Sequence, residues 1–204
     1  MEEQLKIDFE KILKNSSFSK KDIEIKKNHL NRFLKSGLPN KKLENWRFSD
    51  LRQIIEKNIG DLNFYNDYSS HNKVENSIFI EGLEHNKIVF INGRIEIIDF
   101  NYEEKDKIEI LDEIELNNNF DNINSLVNLN NAFTNKHLKI VIKKNYSLKR
   151  PLIIYHTTNK KIKSKNINLR LDFLLEENSC LKLVDIFNDT SEKNFINIFY
   201  NFDL

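Results

Sequence analysis

One cysteine, two prolines and four glycines in 204 residues exclude several classes of function at once. Cys180 alone can close neither an internal disulfide nor a multi-thiolate metal cage, which suits a reducing compartment. Gly37, Gly60, Gly82 and Gly93 stand apart, whereas a phosphate-cradling Walker loop or a dinucleotide fingerprint needs its glycines clustered. A Gly-x-Ser-x-Gly nucleophile elbow is also missing. No apolar run nears the ~18 residues of a membrane span, and the acidic start Met1-Glu2-Glu3-Gln4 reads as neither signal nor transit peptide. Neither sign of charge is in excess: 32 Lys+Arg against 31 Asp+Glu leave +1. Such a balance does not build a protein meant to coat nucleic acid or an anionic membrane. The expected location is cytoplasmic, with no nucleic acid and no membrane among the partners.

What is present supports a buried core, since 39% of the residues are hydrophobic. Asparagine is abundant and takes over turns that glycine would otherwise make, because it tolerates left-handed backbone. Residues 1–60 read as an N-terminal helical domain. Leu5, Phe9, Ile12 and Leu13 recur at helical spacing, as do Ile23, Leu30, Phe33 and Leu34. Ser19-x-x-Asp22 has the form of a capping box, and Gly37 with Pro39 is a stop signal. Ser49 is placed to cap a third helix carrying Leu51, Ile54, Ile55 and Ile59.

Residues 61–136 read as linker, hairpin and helix. The stretch 61–76 is polar. Asn92-Gly93 lies between Ile88–Ile91 and Arg94–Ile98 and predicts a tight hairpin, since a type I′ turn needs positive φ twice. Asp121 is placed to cap a helix with a stripe of Ile123, Leu126, Val127, Asn130 and Phe133. From residue 137 to 204 the pattern turns to β. Leu138–Ile142, Pro151–Tyr155, Ile167–Leu175, Leu181–Phe187 and Phe195–Phe202 recur every ~13 to 18 residues with no helix between them. A β-solenoid and a sandwich both fit that spacing. Leu204 follows the last run with no polar cap, so a fragment, or a chain closed by a partner, is expected. Residues 1–204 expressed alone are expected to aggregate in part.

Three ordered segments resemble one family. Gly37-Leu38-Pro39 runs into Lys42-Leu43-Glu44-Asn45-Trp46-Arg47-Phe48-Ser49-Asp50-Leu51, with Phe48 and Ser49 where Tyr and Thr are more usual. Val89-Phe90-Ile91-Asn92-Gly93-Arg94 is similar to the family's Val-Asn-Gly hairpin. Leu129-Asn130-Asn131-Ala132-Phe133, then Ile140 and Ile142, then Lys149-Arg150-Pro151-Leu152, resemble its Leu-Asn-x-Ala-Phe segment and first strands. His137 and Lys143-Lys144-Asn145 depart from the family's turns. These segments resemble the SufB/SufD family of iron–sulfur cluster assembly scaffolds, on its SufD side, over its N-terminal half. The resemblance implies an α+β fold: an N-terminal helical domain, a small α/β segment, and the beginning of a right-handed parallel β-helix over residues 137–204. It also implies a non-catalytic scaffold partnered by a SufB-like paralogue and a SufC-like ATPase. The full complex would assemble the cluster, with no cofactor bound by this segment. The family's cluster and SufC-docking residues have no counterpart in this sequence.

No catalytic, cofactor-binding or metal-ligating residue is assigned. Trp46 reads as an anchor of the helical layer with Arg47 paired to a nearby carboxylate. Cys180 reads as a small core residue on an apolar strand, and His29, His71, His85, His137 and His156 lack ligand spacing. Lys160–Lys165 reads as a solvated turn, and Glu103-Glu104 and Glu176-Glu177 as charged loop surface. Asp172, Asp185 and Glu176 show no grouping that would support a polysaccharide-acting β-helix enzyme. That enzyme, and a cytosolic β-solenoid interaction module, are the alternative readings.

Overall fold

The computed structural model describes residues 2–16, 18–65, 71–111, 124–159, 162–188 and 193–204. Its helical layer holds α1 (Glu2–Asn15), α2 (Lys20–Ser36), α3 (Leu51–Asn58) and the later α4 (Ser125–Phe133). The start of α2 is fixed as expected: Ser19 Oγ accepts from the Asp22 N–H at 3.1 Å, and the Asp22 carboxylate accepts from the Ser19 N–H at 3.3 Å. Its end is fixed by Gly37 at φ +68°, whose N–H donates to the Phe33 carbonyl. Two caps differ from expectation. Asp50, not Ser49, accepts the Gln53 N–H at the start of α3; a carboxylate is the better acceptor beside a helix N-terminus. Asn124 caps α4, while Asp121 and Ile123 lie outside the described residues.

Leu5, Phe9, Leu30, Phe33, Ile55, Leu129 and Phe133 form the core of this layer. Each such side chain contributes roughly 1.5–3 kcal/mol by leaving water. Leu62 and Phe64, inside the polar stretch after α3, bury into the same core. The buried Asp8 carboxylate fastens that stretch by accepting the Phe64 N–H at 2.9 Å.

Among the described residues, eight strands form two sheets: β1 (Asn86–Ile91), β2 (Arg94–Asp99), β3 (Ile108–Leu111), β4 (His137–Ile142), β5 (Leu152–Thr157), β6 (Asn166–Leu175), β7 (Leu183–Asn188) and β8 (Phe195–Asp203). The first sheet has the order β2-β1-β5-β7 and the second β3-β4-β6-β8. Asn92 at φ +54° and Gly93 at φ +83° make the expected hairpin between β1 and β2. Ile88, Phe90, Leu152 and Ile154 from one sheet meet Leu138, Ile140, Leu169, Leu171 and Phe173 from the other in a shared core. The outer face of the first sheet, including Ile153 and Tyr155, is covered by Val74, Ile78 and Phe79.

The beginning of a right-handed parallel β-helix, expected over 137–204, is not what the chain forms. Its strands divide between two mixed four-stranded sheets that do not close. Parallel pairing links β1 to β5, β5 to β7, β4 to β6 and β6 to β8. Each sheet nevertheless opens on an antiparallel pair, β1 with β2 and β3 with β4. The Asn92-Gly93 reversal forces the first of these pairs. Strand spacing counted the strands correctly, but spacing does not decide which sheet each one joins.

Candidate functional site

Two polar clusters stand out, and the second is a product of the parallel register of β5 and β7. The first lies where the helical layer meets the outer face of the second sheet. On α2, Lys26, His29, Leu30 and Phe33 follow the i, i+3, i+4, i+7 spacing of one helical face, and all four are buried. Lys26 Nζ donates to the Asn131 and Thr134 carbonyls at 3.1 and 2.6 Å, at the C-terminal end of α4. His29 Nδ1 meets Asn128 Oδ1 at 2.8 Å. Arg170 on β6 forks onto Asp172 at 2.9 and 3.0 Å and donates to Asn131 Oδ1 at 2.9 Å. Burial pulls the Lys26 ammonium down to about 7, with Asp22 opposing and Arg170 adding to the effect. Burial likewise pulls His137 down to about 2, helped by the charges of Lys26 and Arg170. His29 is lowered by burial too. Asparagines complete the seam: Asn130 Nδ2 donates to the Leu169 and Asn197 carbonyls, both at 2.8 Å, and so ties β6 to β8.

The second cluster lies between the sheets, beside the two strands β7 and β8 that end them. His156 Nε2 on β5 is 3.0 Å from Asp185 Oδ1 on β7 and 3.1 Å from Tyr200 Oη on β8. The Tyr200 hydroxyl donates to the same Asp185 oxygen at 2.5 Å. The imidazole is stacked between Phe90 and Phe187, with ring centroids 5.4 and 4.7 Å away. His156 is 2% exposed at its side chain and Asp185 28%. Burial, reinforced by Asp185, pushes the Tyr200 phenol well above its ordinary range. Around this cluster the strand ends are apolar: Val184, Phe187, Phe202 and Leu204 are exposed.

The other residues singled out in the sequence are dispersed. Trp46 packs, half-buried, against the helical core as expected, but Arg47 lies over the ring of the exposed Phe48 at 4.6 Å rather than on a carboxylate. Cys180 is not the core strand residue expected: it is exposed, bridging to Ser147 ahead of β7, which begins only at Leu183. His71 meets Glu96 at 3.0 Å, and His85 Nε2 meets Tyr155 Oη at 2.7 Å. Lys160 and Lys161 lie outside the described residues; Lys165 donates to the Tyr65 carbonyl. Glu176 and Glu177 pair with Lys143 and Lys144 at the surface, as read. Glu103 is different. It is buried, and its carboxylate accepts from Asn86 Nδ2, Tyr146 Oη and the Lys149 and Arg150 N–H groups at 2.7–3.0 Å. Burial raises its pKa, but these four bonds outweigh that and hold it below the usual carboxylate range.

Among the described residues, no three or more His, Cys, Asp or Glu side chains are grouped to hold a metal ion. Nor is any helix among them long and apolar enough to cross a membrane. Neither the protein-family models nor the curated proteins include a match to this chain.

Proposed function

We propose that the chain is a SufD-like scaffold subunit of a cytoplasmic SufBCD-type complex for iron–sulfur cluster assembly, non-catalytic itself. One observation carries the reading. Two parallel ladders finish side by side on β7 and β8, each the last strand of its sheet, with Val184, Phe187 and Phe202 exposed along them. Strand edges bind a partner through backbone hydrogen bonds, with apolar side chains adding affinity, and need no catalytic group. The three family-like segments support the reading from a different direction. The Trp46 segment lies in the helical layer, the Asn92-Gly93 segment forms the β1–β2 hairpin, and Leu129–Phe133 is the α4 segment that faces β6 and β8. In this reading a SufB-like paralogue pairs with the β7 and β8 edges, a SufC-like ATPase hydrolyses ATP, and the cluster is the cargo of the assembly. Affinity purification of the full-length protein from its own cells tests it. Recovery of SufB-like and SufC-like subunits is the expected result; recovery of neither would sink the proposal.

A further inference from the structure

We propose that His156 Nε2, Asp185 Oδ1 and Tyr200 Oη form a facial site for one hard transition-metal ion, with ferric iron the best fit. This inference goes beyond the scaffold reading and does not rest on it. The three atoms are separated by 3.0, 3.1 and 2.5 Å. Neighbouring donors on an octahedral ion with bonds of ~2.0–2.1 Å are about 2.9 Å apart, so the triangle is already close to the size of one coordination face. Three strands from both sheets supply the donors, so the packing of the sheets builds the array. The stacked rings of Phe90 and Phe187 fix the imidazole plane. His156 is sealed inside while Asp185 keeps partial access to solvent.

The donor set selects the ion. A carboxylate and a phenolate supply two anionic oxygens, and hard oxygen donors with one imidazole match a small, highly charged cation better than a soft one. The site contains no thiolate to favour copper(I) or zinc. Coordination is a ligand exchange with no redox change. The Tyr200 O–H bond breaks and its proton goes to solvent; the Nε2–H bond that His156 directs at the Asp185 carboxylate breaks as well, the ring takes up a proton on Nδ1 in its place, and the freed Nε2 lone pair binds the ion. That Nδ1 atom is buried and makes no hydrogen bond among the described residues.

The test is titration of the purified full chain with ferric nitrilotriacetate at neutral pH, followed by visible absorbance. A phenolate-to-iron charge-transfer band that saturates at one ion per chain is expected. Tyr200→Phe should abolish the band, and Asp185→Asn should weaken binding at least tenfold. Resonance Raman of the iron-loaded wild-type protein provides a check that needs no variant, and should give tyrosinate modes. The absence of a band, a band unchanged in Tyr200→Phe, or a wild-type Raman spectrum without tyrosinate modes would each overturn the proposal.

Discussion

Lys26 and Thr134 are joined by a fully buried hydrogen bond of 2.6 Å, through which an ammonium on α2 caps the carbonyl end of α4. A cation suits the negative end of a helix dipole, but burial opposes the charge, and the outcome is a folded-state pKa of about 7 against an ordinary 10.5. Between those values the unfolded chain holds the proton and the folded chain has released it. Stability therefore rises with pH across the window from about 7 to 10.5, by at most about 1.4 kcal/mol per unit. Urea midpoints at pH 7 and pH 9.5 measure it, below the range where the buried tyrosines begin to titrate. The wild-type midpoint should be higher at pH 9.5, and Lys26→Met should flatten the difference. Equal slopes in the two proteins would remove Lys26 from the account.

His137 gives the acid side of the same seam. Its folded pKa of about 2 lies far below its ordinary 6.5, chiefly through burial. The unfolded state gains the proton first, so stability falls as pH drops from about 6.5 toward 2. His137→Gln should reduce the loss of melting temperature between pH 7 and pH 5. An unchanged loss would contradict this.

Glu103 should be intolerant of a near-isosteric change. Glu103→Gln puts an NH2 group opposite donors that now converge on a carboxylate, leaving buried N–H groups unsatisfied. The expected cost is about 2–4 kcal/mol in a denaturant melt. A loss below about 1 kcal/mol would mean that the loop between Lys143 and Pro151 is held by other contacts.

Asn130→Asp probes the joint between α4 and the second sheet. The amide donates to carbonyls on both β6 and β8, and a carboxylate would meet those carbonyls with no proton to offer. Destabilisation of roughly 2–4 kcal/mol is expected, together with faster amide exchange along β8.

How much of this was legible in the sequence follows the range of the interaction. The Ser19–Asp22 box, the Gly37 stop and the Asn92-Gly93 hairpin depend on residues within a few positions, and the structure keeps them. The five later strand runs were also legible from their apolar patterning. Pairing was not: Asp185 lies opposite Ile154 only because β5 and β7 run parallel in that register, and this brings it within reach of His156, 29 residues earlier. No local pattern carries that information. The buried seam was partly legible, since Lys26 and His29 share the apolar face of Leu30 and Phe33. Their partners were not, because Asn128, Asn131 and Thr134 lie about 100 residues further along the chain. Glu103 was missed for a similar reason, because its four donors come from separate parts of the chain.

The most direct test of the scaffold proposal is amide hydrogen exchange on the protein, alone and mixed with a SufB-like protein, the partner proposed above. If the partner adds to the two terminal edges, amides of Leu183–Asn188 and Phe195–Asp203 should slow on mixing, while those of α1 and α2 keep their rates. Binding that leaves both strands exchanging at their free rates would contradict the assignment of these edges as the docking surface.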